Sequence, residues 1–442
     1  MATSYLKRTP SSPGSNTTGT VSAWVKYDQG GDYNTIIGGN EGSSSTDRSL
    51  FSIGSDGTVY NQIVDGGSAY TQISDRLLRD PAAWYHVVYQ FDTSDGVQAD
   101  RVKTFINNEQ ITSWSTTASW PSSVDIKLWD SAASAEYMIG CRKSSSSYQY
   151  FFRGNMAHVH VVDGTVYAPS VFAETDSTSG IWIAKSSPSV TYGTNGGFYK
   201  FASGALGTDS AGSNNMTAVG DLISVKDSPD NNFATLNPLD TSIGTAPTIT
   251  NGNLTTTTGD SWVGSTIPIQ SGKWYWEVKV PSAGIECVTG VLLANNLNYS
   301  GTNWIGLSVA GVYGFAGISG NKITSGTAAS YDSAISQNDI MMFAMDAAAG
   351  SLYVGVNGTW LQSSNPATST SPMISSMGTD SMWIPFTTTS GTCINNFNFG
   401  NGYFGTTSHG ETNADDAGIG LFKYDVPAGY YTLCTTNLGD QS

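Results

Sequence analysis

The sequence predicts an all-β protein built from two tandem β-sandwich (jelly-roll) domains. Three observations carry this. Short stretches alternate apolar and polar residues with a period of two, and clusters of Gly, Asn, Asp and Ser separate them at a spacing of roughly ten residues. Only 12% of residues are charged, too few for a solvated helix bundle, and no heptad or fixed-period repeat occurs. Hydrophobic residues at 39% and aromatic residues at 11% supply cores, and 442 residues exceed one ordinary domain.

The first strand pattern spans residues 20–27, with Val21, Ala23, Val25 and Tyr27 on one face and Trp24 on the other. Residues 83–91 and 101–106 read as strong strands, and Asn107-Asn108 turns the second into a hairpin. Residues 151–162 read as a strand pair closed by Asp163-Gly164. Residues 167–176 fit one helical turn, and 197–201 a late strand. From about 203 to 232 periodicity fades into turn formers, which predicts a linker. Patterning returns at Phe233 and Trp274–Val278, then at 303–309, 312–316, 339–346, 351–357, 382–387 and 394–399. Asn357-Gly358 marks a tight turn.

The net charge is −16, from 19 basic and 35 acidic residues. Nucleic-acid binding is therefore not expected, because phosphate recognition needs a basic surface. No run of about 18 apolar residues occurs, so no membrane insertion is expected. The N-terminal residues MATSYLKRTPSSPGS contain no apolar stretch, so no signal peptide is expected. Asn-x-Ser/Thr triplets carry no weight in a chain so rich in these residues. Cys141, Cys287, Cys393 and Cys434 show no CxxC spacing, so zinc and thioredoxin-type sites are not indicated. They are expected as buried free thiols, with a disulfide among the last three left open.

Two stretches carry a resemblance. SYLKRTPSS before GTVSAWVKY, RDPAAWYHVVYQFDT, DRVKTFINNEQ and FFRGNMAHVHVVDGTVYAPSVFAETD resemble the laminin-G-like (concanavalin A-like) jelly roll. SGKWYWEVKV, NWIGLSV and NDIMMFAMDAAAGSLYVGVNG resemble the SPRY (B30.2) sandwich. The resemblance implies a jelly roll over residues 1–205, a linker over 206–232 and a SPRY-like sandwich over 233–442. The order of the two looks like a group of structural proteins of phages of aquatic bacteria, described as tail or fibre proteins. Such relatives often carry a further N-terminal segment, so a particle anchor is expected to be missing here or supplied by a partner. A fold alone does not fix function.

Catalysis is not expected. Glycoside hydrolysis needs two carboxylates across one groove; the Glu-x-Asp-x-x-Glu strand pattern of such jelly rolls is absent, and Glu277 in the WYWEV strand is structural by the SPRY resemblance. No nucleophile elbow, metalloprotease motif or P-loop occurs. His158 and His160 share a strand face and are weighed as half a metal site against a plain sheet face beside a Tyr or Ser; His86 and His409 read as isolated. No cofactor is expected. Calcium, weighed because the related sandwiches use it, finds no converging carboxylates: Asp163, Asp176 and the pair Asp415-Asp416 read as solvated turn residues.

Sugar binding asks for less, because aromatic rings stack on the apolar face of a pyranose. Trp114, Trp120, Tyr148, Tyr150, Tyr299, Trp304, Tyr331 and Trp360 are the loop candidates. Tyr299, Trp304, Tyr331 and Trp360 rank first, since the matching SPRY loops form that fold's recognition face. The resulting expectation is a virion protein, tail- or fibre-associated, made in the host cytoplasm and acting outside it. Its expected partners are other virion proteins, further copies of itself and a host-surface glycan. The rivals are a capsid-decorating or head-fibre protein without receptor binding, and a free lectin.

Overall fold

In the computed structural model the chain forms two compact units, Met1–Ser224 and Val225–Ser442. The structure describes residues 3–28, 31–41, 46–131, 135–240, 247–257, 259–282, 287–298, 309–391 and 393–441. Nearly all regular structure is β, as predicted, and no helix of the described residues is long and apolar enough to cross a membrane.

The first unit is a sandwich of antiparallel sheets. One sheet runs in the order Trp114–Thr116, Ser68–Leu77, Thr58–Asp65, Arg48–Gly54, Tyr33–Asn40, Glu136–Ile139, Tyr5–Arg8, Thr217–Val219. The other runs Gly197–Tyr199, Gly154–Asp163, Thr18–Tyr27, Tyr85–Asp92, Val102–Ile106, Glu109–Gln110. Their facing sides share one core, in which Val21, Ala23, Val25 and Tyr27 meet Phe51, Ile53, Val59 and Ile63. The alternation of Thr18–Tyr27 thus reads correctly, and Trp24 lies on the opposite face. Asn107 and Asn108 both have positive φ, the type I′ geometry that lets strands close in a two-residue turn.

Two sequence expectations are corrected. Residues 154–163 form one continuous strand rather than a pair, with an irregular register between Ala157 and His160 where His158 takes positive φ. That extra residue is a β-bulge, invisible to a period-two pattern. The stretch 206–232 is not an open linker. Asp209 is buried and accepts the backbone N–H groups of Phe198, Ala211 and Asn214 at 2.9, 2.9 and 3.0 Å, and Met216 joins the first core. Farther on, Asp227 is buried in the second unit and accepts the Phe233 N–H at 3.2 Å. Both loops fold around an aspartate, which satisfies backbone donors without regular structure.

The second unit is again a two-sheet sandwich. The larger sheet is centred on Lys273–Ser282, flanked by Ile394–Asn398 and Ile340–Asp346, with Ser351–Val356 and Thr359–Trp360 beyond. The smaller runs Gly259–Gly264, Trp383–Gly391, Val288–Leu293, Val312–Ala316, Asn321–Thr324, Thr327–Ser330. Trp276, Phe343, Val291, Phe315 and Trp383 meet in the core between them. The expected strand over 303–309 falls almost wholly outside the described residues. Contrary to the expectation of free thiols, Cys287 and Cys393 form a disulfide, with Cα atoms 6.6 Å apart. Each leads into a strand of a different sheet, so the bond ties the two layers together. Cys141 and Cys434 are buried free thiols.

Candidate functional site

The outer face of the first unit's larger sheet carries an aromatic platform. Side chains alternate along a strand. Phe51, Ile53, Val59 and Ile63 point into the core, so Tyr33, Ser52, Tyr60 and Gln62 face outward. The hairpin Arg142–Ser144/Ser147–Gln149 folds over this face and ends at Tyr150, whose carbonyl accepts the Thr35 N–H at 3.3 Å. Three half-buried tyrosines then meet: the Tyr33 ring lies 4.6 Å from that of Tyr60 and 4.9 Å, edge-on, from that of Tyr150. The Arg142 guanidinium sits 4.1 Å over the Tyr150 ring, a cation–π stack. Gln62 donates to the Tyr60 hydroxyl at 2.8 Å, whereas the Tyr33 and Tyr150 hydroxyls bond to no described residue. Burial, then the neighbouring tyrosines, raises the Tyr33 pKa, so Tyr33 is a neutral phenol. Flat rings with free hydroxyls and amides beside them are what a sugar needs. Of these residues only Tyr150 is among the sequence candidates.

The outer face of the smaller sheet gathers three histidines, and His86 is not isolated. His86 and His160 are fully buried beneath Trp182, Phe172 and Tyr192. Trp182 donates its indole N–H to His86 Nδ1 at 3.0 Å; an indole can only donate, so the imidazole proton is on Nε2 and is given to Ser22 Oγ at 2.8 Å. His86 therefore cannot take the Ser22 proton, and the pair is no nucleophile–base dyad. His160 Nδ1 bonds the Tyr192 hydroxyl at 2.8 Å and its ring stacks on Phe198 at 4.0 Å. The histidines are thus a packed sheet face beside a Ser and a Tyr, and among the described residues no cluster of His, Cys, Asp or Glu suits a metal ion.

These buried imidazoles carry a pH prediction. Burial, then the nearby His158, depresses the His86 pKa from 6.5 to about 3, and burial also holds His160 well below 6.5. Above pH 6.5 neither state of the chain is protonated there; below it the unfolded chain takes up protons that the fold refuses. Stability is expected to fall as pH drops from 6.5 toward 3, by up to about 1.4 kcal/mol per pH unit for each histidine. The imidazole NMR signal of His86 should stay neutral from pH 7 to 4.5 while the melting temperature falls; a His86 or His160 signal titrating near 6.5 refutes this.

The carboxylates weighed for calcium are turned toward N–H donors. Asp163 accepts Ser15 N at 2.7 Å and both nitrogens of Asn195 at 3.1 Å. Asp176 accepts Ser179 N at 2.8 Å. Asp415 is buried rather than solvated and accepts Ala417 N, Ile419 N, Thr432 N and Asn437 Nδ2 at 2.8–3.0 Å. Asp416 accepts Gly429 N at 2.6 Å. Acids do converge around Lys127, whose Nζ lies 2.9, 3.0, 3.1 and 3.5 Å from Glu41, Asp65, Asp125 and Asp47. The cation these four gather round is the chain's own.

In the second unit Tyr299 and Trp304 lie outside the described residues. Tyr331 and Trp360 sit on loops joined by Gln362, whose Nε2 donates to Tyr331 O and Asp332 Oδ2, both at 2.9 Å. Their rings serve different clusters. Tyr331 packs against the inner core near Phe315, its hydroxyl is buried without an acceptor, and burial with Asp332 pushes its pKa up to about 12. Trp360 packs edge-on against Tyr275 on the outer face. Among the first unit's candidates, Trp120 is buried in the core, Trp114 packs against it, and Tyr148 stacks on Tyr5 and donates to Glu136 at 2.7 Å.

Comparison with known proteins supplies a match for part of the chain. Residues 2–172 match the Laminin_G_3 model, described as the concanavalin A-like lectin/glucanases superfamily. The matched stretch contains Tyr33, Tyr60, Arg142 and Tyr150. SPRY domains are among the structural neighbours. The SPRY domain of human HERC1 is 14% identical, with a TM-score of 0.29 over 37% of this chain and 96% of that one. The TRIM65 PSpry domain is also 14% identical, with a TM-score of 0.29 over 37% of this chain and 88% of that one. No curated protein matches the chain.

Proposed function

We propose that this chain is a glycan-binding structural protein of a phage virion, tail- or fibre-associated, and that it acts without catalysis. The observation that carries the glycan reading is the Tyr33–Tyr60–Tyr150 platform, in which the Tyr33 and Tyr150 hydroxyls bond to no described residue. The absence of a role for catalysis is supported by the direction of the His86–Ser22 hydrogen bond and by the carboxylates spent on N–H donors. The virion setting rests on the order of the two sandwich motifs in the sequence. Weak sites repeated on a symmetric particle bind through multivalency.

A glycan array probed with the full chain tests the first part. Binding is expected, and Tyr60→Ala should weaken it about tenfold, the scale of one ring stack; absence of binding, or indifference to Tyr60→Ala, overturns it. Gold-labelled antibody on purified particles tests the second. Label on tails or fibres is expected. Label over heads favours decoration, and none on any particle leaves a free lectin.

A further inference from the structure

The charge on the platform has no counter-ion among the described residues. Lys7, Lys103, Lys127, Lys143 and Lys273 each make an ion pair with a carboxylate, whereas Arg142 pairs with none among the described residues. A guanidinium offers five N–H donors. Here Nη2 spends one on the neutral Gln149 Oε1 at 3.1 Å, Nε–H is buried with no acceptor, and Nη1 has none among the described residues. In a chain with 35 acidic and 19 basic residues, a half-buried arginine left without a carboxylate is a costly arrangement. Burial, and the charge of nearby Arg48, depress its pKa. The stack on Tyr150 fixes the guanidinium plane, and Tyr150 is itself held at φ 56°, a strained conformation for a non-glycine residue.

We infer that the platform binds an anionic sugar, with the Arg142 fork receiving its carboxylate or sulfate while Tyr33 and Tyr60 hold sugar rings. This rests on the glycan reading above and adds the ligand's chemical class. A guanidinium–carboxylate pair with two parallel N–H donors is short, directional and about twice as strong as a neutral hydrogen bond.

The test is calorimetric titration of the full chain with three probes: a galacturonate hexamer, its methyl ester, and a sulfated galactan hexamer. At least one charged probe should bind about tenfold more tightly than the ester, and the tighter of the two identifies the anion. Arg142→Gln should bring the charged-to-ester ratio close to one, and Arg142→Lys, which keeps charge but not the fork, should retain part of it. Melting temperatures of both variants verify that they fold. Equal affinity for ester and charged probes, or a ratio untouched by Arg142→Gln, overturns the anionic assignment and leaves the glycan reading standing. No binding of either charged probe also overturns it, and the array result then decides the glycan reading on its own.

Discussion

Lys127→Met is expected to cost the first unit about 1–3 kcal/mol, below the roughly 3–5 kcal/mol of a fully buried pair because the four carboxylates are 21–40% exposed. The lysine side chain is 4% exposed and its ammonium touches four carboxylates, so its removal leaves Glu41, Asp47, Asp65 and Asp125 facing one another. Burial alone would lower the lysine pKa, but the bonds to Glu41 and Asp65 and the charge of Asp125 reverse this and raise it, so the site holds a charged ammonium at every accessible pH. Methionine keeps the length of the stem and meets the same positive φ at this position, which isolates the charge. Such a loss is a large part of a domain's usual stability of about 5–15 kcal/mol. The variant should also carry a pH signature of opposite sign to that of the buried histidines. Four unneutralised carboxylates raise one another's folded pKa above the unfolded value near 4, so the deficit against wild type should shrink as pH falls toward that value. Denaturant midpoints of the two proteins at pH 7 and 5 measure both effects. A variant within about 1 kcal/mol of wild type at pH 7 shows that the cluster does not hold the fold.

The parts of this protein legible from sequence are those that local chemistry dictates. Val21, Ala23, Val25 and Tyr27 announce a strand with one buried face, and Asn107-Asn108 and Asn357-Gly358 announce turns because few other residues take positive φ in succession. What was not legible depends on side chains reaching distant backbone. The loops around Asp209 and Asp227 have linker composition, yet each closes on a buried carboxylate. The bulge at His158 and the pairing of Cys287 with Cys393 likewise need three-dimensional register. The tyrosine platform shows the same limit. Period two sets Tyr60 on the solvent side of its strand, but only sheet pairing brings Tyr33 beside it, and only the folding-over of the 142–149 hairpin delivers Arg142 and Tyr150. Loop tryptophans attracted attention as sugar candidates for their size, and size is also why Trp120 was recruited to the core.

Glu277 carries the largest expected effect in the second unit. It is fully buried on the outer face of the larger sheet and each carboxylate oxygen accepts twice: Oε1 from Tyr424 N and Tyr275 Oη, both at 2.9 Å, and Oε2 from Lys423 N at 2.9 Å and Asn398 Nδ2 at 3.1 Å. Burial pushes its pKa up and these donors pull it down, with a net rise. The two backbone bonds, from Lys423 N and Tyr424 N, fasten the chain's C-terminal segment over Tyr275 and Tyr353, where Phe422 and Tyr430 are buried. In Glu277→Gln one oxygen becomes an NH2 group. Asn398 cannot turn to accept from it, because its own oxygen already takes Gly400 N and Gly402 N. The amide must therefore face Tyr275, whose hydroxyl can rotate to accept, and Tyr424, whose N–H cannot. The Tyr424 N–H and the amide hydrogen facing it are both stranded, at about 1–3 kcal/mol or more. Glu277→Leu strands the backbone donors of both Lys423 and Tyr424 together with the Asn398 amide, and about 4 kcal/mol or more is expected. The graded pair separates this account from a mere loss of packing, since leucine would be the better packer. Limited proteolysis reads the same event locally: cleavage after Lys423 should be slow in wild type, faster in Glu277→Gln and fastest in Glu277→Leu. A leucine variant as stable and as protected as wild type would show that the segment is held by its aromatic contacts alone.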